Sequence, residues 1–496
     1  MMKFMNELKN QTNVAITENG ALGYKTTFNA LLDFNYKVPS LRKSLNSDFD
    51  VREVINSITD IETLYRYIFF LRDVRGGMGE RKLFREFIGN LAKMEREELK
   101  MVIPLIPEYG RWDDLFVLFN TPYEMEAMEL IVAQLHNDVI NASQGNPISL
   151  LAKWMPSNNA SSKDTKALAQ FFTQKFQWTP KQYRKTLSHL RYYLKVTEAQ
   201  ISRQEFDKIA YESVPSYANL RYAKLFLDRD YDRRKAFLDS LKKGEVVVKA
   251  STLYPQEVIA KLRGCKSSPA LVEGLWKGLR EFGEVKNVLV VADVSGSMTI
   301  PISNNVQAID ASVGLGIYFA ERNTGEFKDK VVTFSERPSY VDLSNCKTLF
   351  DKYQKLYQSD WGFSTNIEAV FNLVLETAKA SGCSQEEIPE ILILSDMEFN
   401  SCTTGSNKKL FKEIERRFRI CGYKLPKLSF WNLNSRSNTI PLIENDLGVT
   451  LVSGYSPASI GAVLGGKIDP YEALMDCIFV ERYDKIAETI KDYVNA

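Results

Sequence analysis

Apolar positions along the chain follow two rhythms, and the change falls near residue 285. Before it they recur every three or four residues. Val51, Val54, Ile55, Ile58, Ile61, Leu64, Ile68 and Leu71 form one such stripe, which predicts an amphipathic helix over 51–71. Similar stretches follow near 80–94, 124–140, 162–175, 179–193, 217–227, 230–242, 255–263 and 268–281. Gly76-Gly77, Pro122, Gly145-Asn146-Pro147 and Pro215 punctuate them. Many short helices without strands favour a helical array over a bundle, although no repeat of fixed period is evident. After residue 285, short apolar runs alternate with helical stretches. Strands are expected at 288–293, 330–335, 339–342, 390–395, 427–432 and 449–453, with 339–342 antiparallel. Helices fall near 306–322, 366–381, 407–421, 457–464, 470–477 and 484–494. That alternation predicts a parallel-dominated α/β sheet with right-handed crossovers. The first 50 residues, with Gly20, Gly23 and Pro39, predict an extended lead-in and a short helix near Ala30–Phe34. The expected partition is therefore 1–50 lead-in, 51–285 helical array and 286–496 α/β domain.

Composition adds bounds. A chain of 496 residues with 44% hydrophobic and 25% charged residues fits a soluble protein of two or more domains. No apolar run reaches 18 residues, so no membrane span is expected. The opening MMKFMNELKN lacks the apolar core of a signal peptide, which predicts a cytoplasmic protein. Six cysteines contain no Cys-x-x-Cys pair, so neither a zinc ribbon nor a disulfide framework is indicated. His136 and His189 are the two histidines, too few for a multi-histidine metal centre.

The net charge of +2 conceals an asymmetry. Residues 1–150 carry −4, residues 151–286 carry +12 and residues 287–496 carry −6. The basic segment is interleaved with Tyr183, Tyr192, Tyr193, Tyr211, Tyr217 and Tyr222, a composition that could track a polyanionic backbone. Solvated helix faces beside acidic neighbours would look the same.

The α/β half holds the sharper signal. The run Val288–Ala292 ends in Asp293-x-Ser295-x-Ser297, a tight loop that can aim three oxygens at one point. Thr365 precedes a helical stretch, and Asp396 ends the apolar run Ile391–Ser395. In an open parallel sheet the carboxyl ends of strands gather on one edge, so these five residues would converge from three loops. Oxygen-only donors suit a hard divalent cation, most naturally Mg²⁺, which prefers octahedral geometry at roughly 2.0–2.1 Å.

The set Asp293, Ser295, Ser297, Thr365 and Asp396 resembles the metal-ion-dependent adhesion site of von Willebrand factor A domains, which have a Rossmann-like fold. The resemblance implies that the two serines and the threonine coordinate directly and the two aspartates act through water. It also implies one coordination position left for an acidic group on a partner. In the helical half, Leu71-Arg-Asp-Val-Arg-Gly-Gly-Met-Gly-Glu-Arg-Lys82, Glu108-Tyr-Gly-Arg-Trp-Asp-Asp-Leu115, Leu151-Ala-Lys-Trp-Met-Pro-Ser157 and Tyr211-Glu-Ser-Val-Pro-Ser-Tyr-Ala218 resemble the TROVE-type Ro ribonucleoproteins. The likeness is closer to an uncharacterised Ro-related branch, also encoded by phages. It implies a HEAT-like helical repeat array, with ring closure left open, followed by a von Willebrand A domain. It further implies a monomer that binds small structured, misfolded or single-stranded-tailed RNA.

Candidate RNA contacts are Lys153, Trp154, Lys181, Arg184, Lys185 and Arg191, with cations for phosphates and aromatics for unpaired bases. Two other readings stay open. One is a metal-dependent protein scaffold without RNA. The other is a Mg²⁺-dependent phosphohydrolase using Asp293; an aspartyl-phosphate enzyme wants an acid two residues on, where this chain has Ser295, so binding is expected rather than catalysis.

Overall fold

The apolar run Val288–Asp293 (β1) is buried at all six positions, as expected of a strand covered on both faces. With it lie Lys330–Phe334 (β2), Ser339–Asp342 (β3), Glu390–Ser395 (β4), Leu428–Asn432 (β5) and Val449–Ser453 (β6). They form one sheet in the order β6-β5-β4-β1-β2-β3. All neighbours pair in parallel except β3, which runs antiparallel to β2. The chain thus winds outward from β1 to β3 and returns to lay β4 on the other flank of β1. Strand order reverses there, opening a crevice at the carboxyl ends of β1 and β4. The computed structural model describes residues 8–9, 11–42, 51–248, 250–263, 268–303, 305–359, 362, 364–401 and 409–494. Cys265 and Cys402 lie outside the described residues.

Contacts group the chain into two discontinuous units, one of 1–58, 75–78 and 241–480, the other of 59–74, 79–240 and 481–496. The consecutive partition expected from the rhythm does not follow these units. In the α/β unit the lead-in forms a two-strand hairpin, Ala15–Ile16 with Leu22–Gly23, and a helix, Ala30–Leu41, longer than the expected 30–34. The Asn432 side chain donates to the Tyr36 carbonyl and Ser453 to that of Asn35, which fix that helix to β5 and β6. Helix Ala308–Arg322 is buried from Ala308 to Ala320. Gly314 permits the close approach of helix Pro255–Arg263: a Cβ there would lie 3.0 Å from the Pro255 carbonyl carbon.

On that second helix, Glu257 accepts the Tyr254 amide at 2.9 Å, and burial pushes its carboxyl up to about 7. A carboxyl raised in the folded state adds stability that is complete below its ordinary value and is lost as pH climbs through the folded one. Glu257→Gln is therefore expected to match the wild type near pH 4.5 and to melt higher at pH 8, by roughly 2 kcal/mol in stability. Thermal melts at the two pH values check this.

In the helical unit no strand occurs among the described residues, and its helices include Ile61–Arg72, Arg81–Lys93, Glu124–Ser143, Lys163–Lys175 and Pro180–Tyr193. The single helix expected over 51–71 is two, Val51–Ser57 and Ile61–Arg72. Asp60 ends the continuity by capping the second, accepting the Thr63 amide at 2.8 Å. The last helix, Asp484–Val494, was expected in the α/β domain. It packs instead on Ile61–Arg72, with Arg66 on Asp484 at 2.9 Å and Arg482 on Asp73 at 2.9 Å. The Glu108–Leu115 motif builds a buried charge cluster. Asp114, fully buried, receives Arg72 at 2.7 Å and Arg85 at 2.7 Å. Gly110 makes room for it: a Cβ there would lie 2.6 Å from Asp114 Oδ2.

Candidate metal site and basic helical face

At the crevice, β1 delivers Asp293 at its last position and β4 delivers Asp396 one residue past its end. Both carboxylates are fully buried. The loop after β1 turns back on itself: the Ser295 amide donates to Asp293 Oδ1 at 2.9 Å, and the Ser295 and Ser297 hydroxyls sit 3.0 Å apart. The Ser297 hydroxyl also lies close enough to Asp396 to favour its charged form, and the charge of Asp396 is felt at Asp293, so four of the five sequence candidates lie together. Thr365 makes no hydrogen bond to these four among the described residues and is held to Asn400, on the loop that follows Asp396. Its amide donates to the Asn400 side chain at 3.2 Å, and its carbonyl accepts the Asn400 amide at 3.0 Å. Asn366 then caps helix Ile367–Ser381 by accepting the Ala369 amide at 3.1 Å.

The Thr365 hydroxyl is buried and has no hydrogen-bond partner among the described residues. An orphaned buried oxygen costs free energy unless something meets it. Burial and then the charge of Asp396 push the Asp293 carboxyl up to about 7, against hydrogen bonds from Ser295 and Ser395. Burial likewise raises Asp396, while the Arg436 guanidinium, 2.9 Å from its Oδ2, pulls it back. Two buried carboxylates are held together with too little positive charge, a state that a divalent cation relieves. Among the described residues no group of three or more His, Cys, Asp and Glu could hold a metal. Two carboxylates and three hydroxyls are instead an all-oxygen set, fitted to a hard cation and not to zinc.

Several residues that shape the site carry no spacing signal. Ser395 donates to Asp293 Oδ2 at 2.6 Å. Gly362 ties two loops together, its amide donating to Ser335 Oγ at 2.8 Å and its carbonyl accepting the Gly296 amide at 3.3 Å. Arg436 bridges Asp396 and Glu18 of the lead-in. Glu398, two residues beyond Asp396, is a buried loop clamp: it accepts the amides of Arg436 at 2.7 Å, Ser437 at 2.8 Å and Glu18 at 2.8 Å.

In the helical unit the RNA candidates divide. Helix Pro180–Tyr193 starts with proline and a capping box, Thr179 with Gln182. It buries Tyr183, Leu187 and Leu190 and turns Lys181, Arg184 and Lys185 to solvent. Arg191 is spent on structure, donating to the carbonyls of Ala152 at 2.8 Å and Met155 at 2.7 Å and to Ser157 Oγ at 2.8 Å. Lys153 and Trp154 lie on the short helix Leu151–Trp154, where Arg111 stacks 3.8 Å from the indole centroid and covers that ring face. Residues 151–240 contain seventeen Lys and Arg. Among the described residues only Lys175, Lys208 and Arg233 of these form ion pairs.

The fold and crevice define a doubly wound α/β unit with an oxygen cluster at its strand switch, combined with a helical unit of basic surface. Two family models match, both described as domains of unknown function: DUF7788 over residues 287–489 and DUF2828 over 125–288. Uncharacterized protein L728 of Acanthamoeba polyphaga mimivirus is 30% identical over 497 residues, covering 92% of this chain and 85% of that protein. The chain belongs to the same family as that mimivirus protein. The crystal structure of the Deinococcus radiodurans Ro (RSR) protein matches at 13% identity and a TM-score of 0.31, over 79% of this chain and 92% of that one. At that score the likeness fixes neither fold nor function. No helix among the described residues is long and apolar enough to cross a membrane.

Proposed function

We propose that this chain is an RNA-binding protein acting as a monomer. The basic face of the helical unit, a HEAT-like array, holds small structured RNA or RNA with a single-stranded tail. Asp293, Ser295, Ser297, Thr365 and Asp396 hold Mg²⁺ and leave one coordination position for an acidic group on a protein partner. The observation that carries the RNA reading is the charge of residues 151–240, where fourteen of the seventeen cations form no ion pair among the described residues. Arg191 and Arg234 are braced inside the unit, and the remaining cations left to solvent on one segment are a ready counter-charge for phosphates. The reading is one of binding without turnover: Ser295 stands where a phosphatase wants its acid, and His136 and His189 sit on helices of the other unit.

Binding of a single-stranded-tailed RNA, followed by polarisation on nuclease-treated protein, tests this. Lys181→Ala/Lys185→Ala is expected to weaken binding about tenfold for every sequence and to flatten the salt slope by about 2. Unchanged affinity and slope would remove this face from the reading.

A further inference from the structure

Beside the exposed cations the helical unit holds a cavity of about 300 Å³, at the lower end of the size range of small-molecule sites. Its walls are two helix faces and a turn. Helix Pro180–Tyr193 contributes Arg184, Leu187, Ser188 and Arg191, spaced so that they share one face. Helix Thr197–Ser202 and its cap contribute Ser202 and Arg203. The turn at 157–159 contributes Ser157 and Asn158. No Asp or Glu lines the cavity.

None of the three arginines is paired with an acid among the described residues, and two have guanidinium groups largely free. Arg184 makes no hydrogen bond or ion pair among the described residues, and Arg203 donates only to Ser188, at 3.2 and 3.4 Å. The third, Arg191, holds the turn and adds its charge. Asn158 supplies an independent sign of a missing ligand: its side-chain nitrogen and oxygen are both buried, and neither has a hydrogen-bond partner among the described residues. Such an amide is costly to leave unmet, and a cavity that small, walled largely by apolar surface but with arginines as its only charged residues, suits a compact anion with several acceptor oxygens. Tyr192, 52% exposed, is outside the lining but next to it, with the lining Arg203 guanidinium 4.9 Å from its ring centroid, and keeps ring surface on which a base can stack.

We propose that this cavity takes the terminal phosphate of a single-stranded RNA, with Arg184, Arg203 and Asn158 on the phosphate oxygens and the adjoining base on Tyr192. The inference rests on the RNA reading above and adds an end to it. A terminal phosphomonoester carries more charge and more free oxygens than an internal diester, and the cavity's size admits a chain end but not a duplex.

The test is competition by short oligoribonucleotides of one sequence ending in 5′-phosphate, 3′-phosphate or hydroxyls only, with AMP and pyrophosphate alongside. The wild type is expected to prefer one phosphorylated end at least tenfold. Arg203→Ala and, separately, Arg184→Gln are expected to erase that preference while keeping the wild-type melting temperature. Equal binding of all ends would overturn the proposal and leave the RNA reading standing. Binding of AMP or pyrophosphate, lost in Arg203→Ala, with no oligoribonucleotide bound would overturn the RNA-end assignment and the RNA reading together, leaving a free-nucleotide pocket.

Discussion

Asp293→Asn is expected to abolish the response to Mg²⁺ without harming the fold. In the wild type, Asp293 and Asp396 are buried side by side, and Thr365 holds out a hydroxyl with no partner among the described residues. A bound cation engages all three and should raise the melting temperature, since a ligand at a hundred times its dissociation constant adds about 2.7 kcal/mol. The asparagine keeps the shape and loses the charge, so Mg²⁺ affinity should fall on the order of 100-fold. Without metal, the variant should be at least as stable as the wild type, because one of two mutually repelling buried carboxylates is gone. Thermal melts with and without Mg²⁺ read both effects. A residue that merely capped its loop would show the opposite, a lower melting point and an unchanged metal response.

The largest loss of stability is expected from Asp114→Ala. Asp114 is fully buried under Arg72, which is itself buried, and Arg85, and it also accepts the Arg111 amide at 2.9 Å. Removing the carboxylate strands the buried Arg72 guanidinium and leaves Arg85 with Asp113 alone, 3.0 Å away, and the loss of a buried partner runs to about 3–5 kcal/mol. Thermal unfolding should show a strongly lowered transition for the helical unit, and the Mg²⁺-dependent shift of the α/β unit should survive. A change within about 0.5 kcal/mol would mean the cluster is solvated and the charges are independent.

The α/β sheet was legible because each of its long strands is a local event. Val288–Asp293 and Glu390–Ser395 are apolar runs with a polar end, and their burial follows from that pattern alone. The placement of the five oxygen-bearing candidates was legible for the same reason, each sitting at the end of a strand, just after one or near the start of a helix. What periodicity could not supply was long-range pairing. The helix Asp484–Val494 looks like the last helix of the α/β half until Arg482 meets Asp73 and Arg66 meets Asp484. Val51 to Leu71 reads as one stripe, and only the Asp60 cap divides it. Helix Leu349–Tyr357 was overlooked although Thr348 and Asp351 spell its capping box. Arg436, Gly362 and Asn400 come to the site from separate loops at no fixed spacing, so nothing local marks them. Arg191 shows the converse: a basic residue in a basic segment, bound to two backbone carbonyls and a serine hydroxyl as a brace.

RNA binding by the solvent-facing cations of the helical unit is read from a salt titration. Polarisation of a labelled single-stranded-tailed RNA is followed from low to physiological salt with the wild type and with Asp293→Asn. If about four phosphates are neutralised, log affinity falls against log salt with a slope near −3, equally in both proteins. Absence of binding at the lowest salt, with structured and unstructured RNA alike, would contradict the RNA reading and leave a metal-dependent protein scaffold in its place.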